Sequence, residues 1–301
     1  MNNKINVADI SELRTRTGVG LSNCKKALIE SGGDISKASE LLRQKGLAST
    51  ANKAGKIAAE GSVVAQISSN SKRGVLLELN SQTDFVAKNE NFKGLLGQIL
   101  EIACENKDIN SLEELKEYKI STGETINDLI SLKTAQIGEK LELRRLHITQ
   151  IENDKQQIFE YTHPLGSKIA VLGLGENIGE IAKDLAMHIA AFQPQPEFLQ
   201  REDIPEEKIA TERRIEEGKE DLANKPAEIK EKIITGRVEK ALMEKVLLEQ
   251  PFVKDQSKKI KDLLKENNAS ILNFKRFNLG EGIDKKECNF ADEVAAQMQA
   301  K

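Results

Sequence analysis

At residue 61 the hydrophobic period of this chain changes, and that change constrains the fold more than any other feature. GSVVAQI (61–67) and RGVLLELN (73–80) flank the polar loop SSNSK, with Val75, Leu77 and Leu79 marking a period of two. Such a pair reads as an antiparallel hairpin. The following segment carries Phe92, Leu95, Leu96, Ile99, Leu100 and Ala103, an i, i+3, i+4, i+7, i+8, i+11 stripe. A stripe of that spacing belongs to an amphipathic helix. A hairpin with a helix laid against it is the unit predicted here.

A similar order recurs. KLELRRLHI (140–148), QQIFEYT (156–162) and KIAVLGL (168–174) read as strands, and Ile178, Ile181, Ala182, Leu185 and Ile189 share one face of a helix over 178–191. Residues 111–137 read as helical but weakly amphipathic. Hairpin then helix, twice, predicts an α+β core of two related antiparallel-sheet-plus-helix subdomains. NASILNFKRFNLGEG (268–282) alternates like a further strand, and Phe290, Val294 and Met298 mark a last helix.

Two helical regions lie outside this pattern. In residues 1–55, Ile10 and Leu13 open a helix that TGVG ends, and Ser22 suits the N-cap of a second, carrying Ala27 and Leu28 and stopped by Gly32-Gly33. Asp34 caps a third helix with Ala38, Leu41 and Leu42 on one face, and GLASTANKAG (46–55) reads as linker. After FQPQPEFLQ the chain becomes charged, with Pro205 and Pro226 at first-turn positions and GKEDLANK as the reversal. Ile229, Ile233, Gly236, Lys240, Met243 and Leu247 step by 4, 3, 4, 3, 4, a heptad seam for an inserted helical hairpin. The expected units are residues 1–55, 56–139, 140–200, 201–249, 250–284 and 285–301, the hairpin interrupting the second core subdomain.

Composition excludes several classes of function. The chain is 39% hydrophobic and 31% charged, as a globular protein is. Its net charge of −3 argues against a dedicated nucleic-acid binder, which presents a basic face. Cys24, Cys104 and Cys288 are widely separated and read as reduced, buried thiols, and His147, His163 and His188 show no metal-ligand spacing. No run approaches the ~18 apolar residues of a membrane span. The N-terminus MNNKINVADISEL has no apolar signal core, so a cytoplasmic location is expected.

Chemistry is equally sparse. Gly173, Gly175 and Gly179 follow a strand and open a helix, as a dinucleotide-binding turn does. The spacing is G-x-G-x-x-x-G, however, Glu176 would face the pyrophosphate, and QPQPEF follows where a second parallel strand is needed. A tight strand-to-helix turn explains the glycines better. No G-x-S-x-G or Gly-rich Lys-Ser/Thr loop is present, and no cofactor or metal is expected.

The one unusual stretch is Thr83-Asp84-Phe85-Val86. It places an acid beside a large aromatic in a polar turn, in a chain with nine Phe, two Tyr and no Trp. Phe85 could fold back as a staple on Phe92 or Leu96, with Asp84 capping the helix. Equally, Phe85 could be an exposed anchor for a partner's pocket, with Asp84 as a directional polar contact. Pattern alone leaves both open.

SELRTRTGVGLSNCKKALIESGGDISKASELLRQKG (11–46) resembles the N-terminal domain of the bacterial translation elongation factor Ts family. LELNSQTDFVAKNENF resembles that family's central signature, and KIAVLGL, AMHIAA, QPFV and LGEGI follow in the family's order. The resemblance spans essentially the whole chain. It implies a guanine nucleotide exchange factor for elongation factor Tu, engaging the GDP-bound and nucleotide-free GTPase, and no enzyme. It implies a ubiquitin-associated-like three-helix domain, a two-subdomain core and a protruding antiparallel coiled coil. It also implies that Asp84 and Phe85, flanked by Thr83 and Val86, insert near the GTPase's magnesium site. Arg14, Leu21 and Ser22 fall at positions that touch the partner; where relatives often carry Met, this chain has Leu21-Ser22. Two other readings stand beside it: a nucleotide-cofactor enzyme using the 173–179 turn, and a helical scaffold using the 205–248 hairpin.

Overall fold

The computed structural model describes residues 6–53, 55–222 and 226–284. The predicted helix around Phe290, Val294 and Met298, with Cys288 and the whole 285–301 unit, lies outside them.

The change of period at residue 61 produces the expected hairpin. β1 (Glu60–Ile67) pairs antiparallel with β2 (Arg73–Ser81), and Val63 stands opposite Glu78. β2 is buried along its whole length because both its faces are covered. Val75, Leu77 and Leu79 face a core shared with Phe92, Leu95 and Ile99 of helix α5 (Glu90–Glu105). Leu76, on the opposite face, meets Ala170, Leu172 and Phe277 of a second sheet.

That second sheet comprises β4 (Gln156–Thr162), β5 (Ile169–Glu176) and β8 (Ser270–Asn278), in the order β4-β5-β8. The first sheet has the matching order β1-β2-β3, where β3 is Leu141–Gln150. Here the structure corrects the sequence order, which placed 140–148 with the second subdomain. β3 pairs with β2, from Arg73 opposite Gln150 to Ser81 opposite Leu141. A strand's own alternation shows that it is half-buried, not which edge it will join. The result is a layered core in which the sheets pack face to face and helices cover the two outer faces.

On the outer side of the first sheet lie α5, α6 (Leu112–Glu117) and α7 (Ile126–Ile137). The helical stretch 111–137 is thus broken, at a turn closed by the Lys119–Thr125 bridge. The second sheet is covered by α8 (Ala182–Ala191), whose Leu185 and Ile189 are buried as the stripe required. Residues 251–266, placed in the 250–284 unit without predicted elements, add β6 (Pro251–Phe252), β7 (Asp255–Lys259) and α11 (Ile260–Glu266) to this side.

A buried carboxylate ties the layers together. Glu78 has no exposed surface and accepts from Arg144 Nη1 at 3.0 Å, from Asn80 Nδ2 at 3.0 Å and from the Gly280 N–H at 2.9 Å. Arg145 Nε completes the set. One side chain of the central strand therefore fixes β3 and the turn after β8, and its charge is fully partnered, as burial demands.

The N-terminal bundle contains α1 (Val7–Thr17), α2 (Leu21–Glu30) and α3 (Ile35–Lys53) around Leu13, Cys24, Ala27, Leu28, Ala38 and Leu42. Asp34 caps α3 as expected, Oδ1 accepting from the Lys37 N–H at 3.0 Å. Two expectations fail. Gly20 is the N-cap of α2, and Ser22 lies inside its first turn without a capping bond. α3 continues to Lys53 through most of the expected linker, since a lone Gly46 costs a helix only about 1 kcal/mol. The bundle sits on α7: Leu132 packs against its core, and Arg43 Nη2 is 2.7 Å from Asp128 Oδ2.

The insertion is a helical hairpin of α9 (Glu206–Glu217) and α10 (Ala227–Met243), with a cluster of Ile204, Leu222, Ile234, Val238, Leu242 and Val246. Its seam runs through Ile234, Val238, Leu242 and Val246, at a constant spacing of four rather than along the predicted heptad. Of the predicted α10 positions, Ile229, Gly236 and Lys240 face solvent and Ile233 and Met243 are partly buried. The Ile233-Ile234 doublet permits either register, and burying Val238 and Leu242 outweighs burying Gly236 and Lys240.

Candidate partner-binding site

The 83–86 stretch continues straight off the buried end of β2, which gives it a rigid base. Thr83 is extended (φ −123°, ψ 155°) and caps α4 (Asp84–Ala87), a single helical turn. Its hydroxyl accepts from the Val86 N–H at 3.4 Å, and its carbonyl accepts from the Ser81 hydroxyl at 2.9 Å. Val86 is buried in the first core beside Val75 and Phe92. Val86 is thus the peg that holds the turn down, and it also lines the cleft beside Phe85.

Phe85 points the other way and is 80% exposed. The staple alternative is overturned, because Phe92 and Leu96 complete their core without it and Asn89, not Asp84, caps α5, accepting from the Asn91 N–H at 2.8 Å. One turn of helix cannot aim both Phe85 and Val86 inward, and the core takes the β-branched residue that fits beneath the strand end.

Asp84 and Phe85 are linked through Lys88, a residue not singled out in the sequence. Lys88 Nζ is 2.7 Å from Asp84 Oδ2 and 5.8 Å from the centre of the Phe85 ring. That hydrogen bond holds the Asp84 carboxyl below its ordinary range, so the turn presents an ionised acid beside an aromatic face. The i, i+4 spacing in DFVAK was the available signal.

Phe85 also lines a cleft of about 600 Å3 with Thr17, Gly18, Leu132, Lys133 and Gln136. The end of α1, more than sixty residues away in sequence, thereby joins the site through α7. Gln136 of α7 donates to the Thr17 carbonyl and fixes that wall. Arg14, Leu21 and Ser22 are exposed on the bundle, Leu21 by 51%, but none of them lines this cleft.

The glycine-rich turn resolves differently. Gly173 sits in the middle of β5, opposite Phe159 and Phe274, and the Phe159 ring covers its α-carbon so closely that a Cβ would lie 2.1 Å from it. Gly175 is also a strand residue, with the Ser270 carbonyl against it. These glycines admit packing partners within an antiparallel sheet, and the dinucleotide reading is set aside. Among the described residues no group of three or more His, Cys, Asp or Glu is placed to hold a metal, and no helix is long and apolar enough to cross a membrane.

The family model for Elongation factor TS matches residues 82–281, which begins at this turn. The chain is 42% identical over 296 residues to Elongation factor Ts of Oenococcus oeni, covering 98% of this chain and 99% of the relative. It is 44% identical over 306 residues to Elongation factor Ts of Halothermothrix orenii, covering 99% of each. With Elongation factor Ts of Acholeplasma laidlawii it shares 44% over 299 residues, covering 98% and 99%. A match of this length and identity, on a core of two three-stranded sheets with an inserted helical hairpin, places the chain in the elongation factor Ts family of translation elongation factors.

Proposed function

We propose that this chain promotes GDP release from elongation factor Tu by inserting Phe85 into the GTPase while Asp84 engages polar groups beside its magnesium site. The observation that carries the reading is the Phe85 ring, 80% exposed on a turn pinned by a buried Val86 and the capping Thr83. An exposed aromatic costs solvation free energy in the unbound chain, and a rigid backing lets it spend little entropy on docking.

The action is one of linkage rather than bond chemistry. A factor that binds the nucleotide-free GTPase more tightly than the GDP-bound form weakens GDP binding by the same ratio. Release passes through a complex holding both, in which the wedge disturbs the Mg2+ that helps hold the phosphates. No residue of this chain then touches nucleotide, and the chain is not an enzyme. Arg14, Leu21 and Ser22, exposed on the bundle, supply a second contact with the same partner, and the setting is the cytoplasm where translation runs.

Stopped-flow release of fluorescent GDP from elongation factor Tu tests this. The parent chain accelerates release, and Phe85→Ala removes at least about thirtyfold of that effect, the size of a hot-spot loss. Asp84→Ala combined with it lowers the rate further. An unchanged rate in the double variant sinks the wedge; no acceleration by the parent sinks the exchange-factor reading.

A further inference from the structure

We propose that Glu139 is a positioning residue for the wedge, acting through Thr83; this rests on the reading of Phe85 given above. Glu139 lies in the short link between α7 and β3, just after Gly138, whose φ of +89° ends the helix and turns the chain back toward the end of β2. Both carboxylate oxygens reach the same residue. Oε2 accepts from the Thr83 backbone N–H at 3.0 Å, and Oε1 accepts from the Thr83 hydroxyl at 2.9 Å.

These bonds decide which way the wedge faces. With its proton given to Glu139, the Thr83 hydroxyl turns a lone pair to the Val86 N–H and closes the cap of α4. The Thr83 N–H, which precedes the helix and has no partner in α4, is held by the other oxygen. Both constraints come from outside the turn, and a one-turn helix is too short to hold its own direction by internal bonds. Charge-assisted bonds to a carboxylate are the strong kind.

The same helix end also fixes the facing wall. Gln136, one turn before Glu139, donates to the Thr17 carbonyl at the end of α1. The last turn of α7 and the link after it thus set the wedge on one side of the cleft and the N-terminal bundle on the other. Glu139 touches no partner in this account; it keeps Phe85 aimed.

The test measures maximal fluorescent-GDP release from elongation factor Tu at saturating concentrations of each variant. Glu139→Ala lowers the maximal rate about tenfold, the loss of one charge-assisted pair, with a smaller change in the half-saturating concentration. Glu139→Gln keeps most of the activity, because its amide oxygen accepts from the Thr83 N–H and its NH2 donates to the hydroxyl oxygen. Thr83→Val, which loses only the hydroxyl, falls between them. Combined with Phe85→Ala, Glu139→Ala slows release by less than twofold beyond Phe85→Ala alone, since there is no ring left to aim. The proposal is overturned if Glu139→Ala releases GDP at the parental rate, or if it costs the same tenfold in the Phe85→Ala background. Should Glu139→Ala not fold, Glu139→Gln at parental rate with Thr83→Val reduced supports it, and Thr83→Val at parental rate overturns it. A parental rate for Phe85→Ala itself overturns the wedge, and this proposal with it, by a separate signature.

Discussion

Each of the two sheets has a hairpin, a covering helix and a third strand that returns beside the hairpin's second strand, yet their inserts behave in opposite ways. Before β3, α6 and α7 put Leu115, Ile126, Leu129 and Ile130 into the same core as β2 and α5. Before β8, α9 and α10 bury Ile234, Val238 and Leu242 in a cluster of their own, apart from the core of α8 and α11. The first insert therefore shares the stability of the sheet it covers and can hold Thr83 and the N-terminal bundle in register. The second stands on a narrower base and leaves Ile209, Ile215 and Ile229 exposed. Phe85, backed by the first core, is not equivalent to the exposed isoleucines of the second insert: what backs a side chain decides how precisely it can be presented.

That contrast can be broken by experiment, and the largest effect belongs to the shared core. Phe92→Ala removes a fully buried ring and costs about 4 kcal/mol of global stability, read by chemical denaturation. Exchange activity falls with it, because α5, β2 and the turn are one unit. If Phe92→Ala loses that stability while the wedge keeps its full activity, the turn is not one unit with α5 and β2.

Next is Leu242→Ala in the hairpin, about 3 kcal/mol locally. Native-state hydrogen exchange should show faster opening of α9 and α10 with β2 amides unchanged. Equal acceleration in β2 would erase the distinction between the two inserts.

The neck of the second insert makes a pH-dependent prediction. His188 of α8 is buried; its Nδ1 accepts from the Val253 N–H at 3.2 Å, and its Nε2 faces Gln250 Oε1 at 3.1 Å. Gln250 in turn donates to the carbonyls of Pro194 and Glu244, on either side of the hairpin. Burial pushes the imidazole down from 6.5 to about 4. The unfolded chain takes up the proton first, so this stability is present above pH 6.5 and is lost as pH falls toward 4. Between pH 7 and pH 5 the loss is about 2 kcal/mol. His188→Gln should flatten that slope in a denaturation series; an unaltered slope assigns it to other groups.

The smallest change concerns the hairpin's surface. Arg213 bridges Glu217 at 3.0 Å and Glu231, but all three are exposed. Arg213→Ala should barely move the unfolding midpoint, and less still in high salt. A large shift would show that ion pairs, rather than the Ile234–Leu242 seam, hold the hairpin together.

The periodic elements were legible without any structure. The α5 stripe appears with every predicted residue buried, as do the β1–β2 hairpin, the buried face of α8 and the three N-terminal helices, because a run of alternating or 3.6-period apolar residues has one favourable way to hide. The site was half legible. Asp84 and Phe85 stood out as chemistry in the wrong place, and Lys88 was within reach at i+4. Glu139, Gln136 and Thr17 gave no signal, since their roles depend on neighbours 56 to 119 residues distant.

Sequence by itself thus determined which residues prefer burial and which periodic elements they form, because hydrophobic period is encoded within a few residues. Only the tertiary structure decided three other matters: that β3 belongs to the first sheet, that the hairpin seam runs through Ile234 rather than Ile233, and that Phe85 faces outward. Each is a choice between local alternatives of nearly equal energy. Such choices are settled by which one lets the whole core close without an unpartnered strand edge, a buried lysine or a displaced Val86.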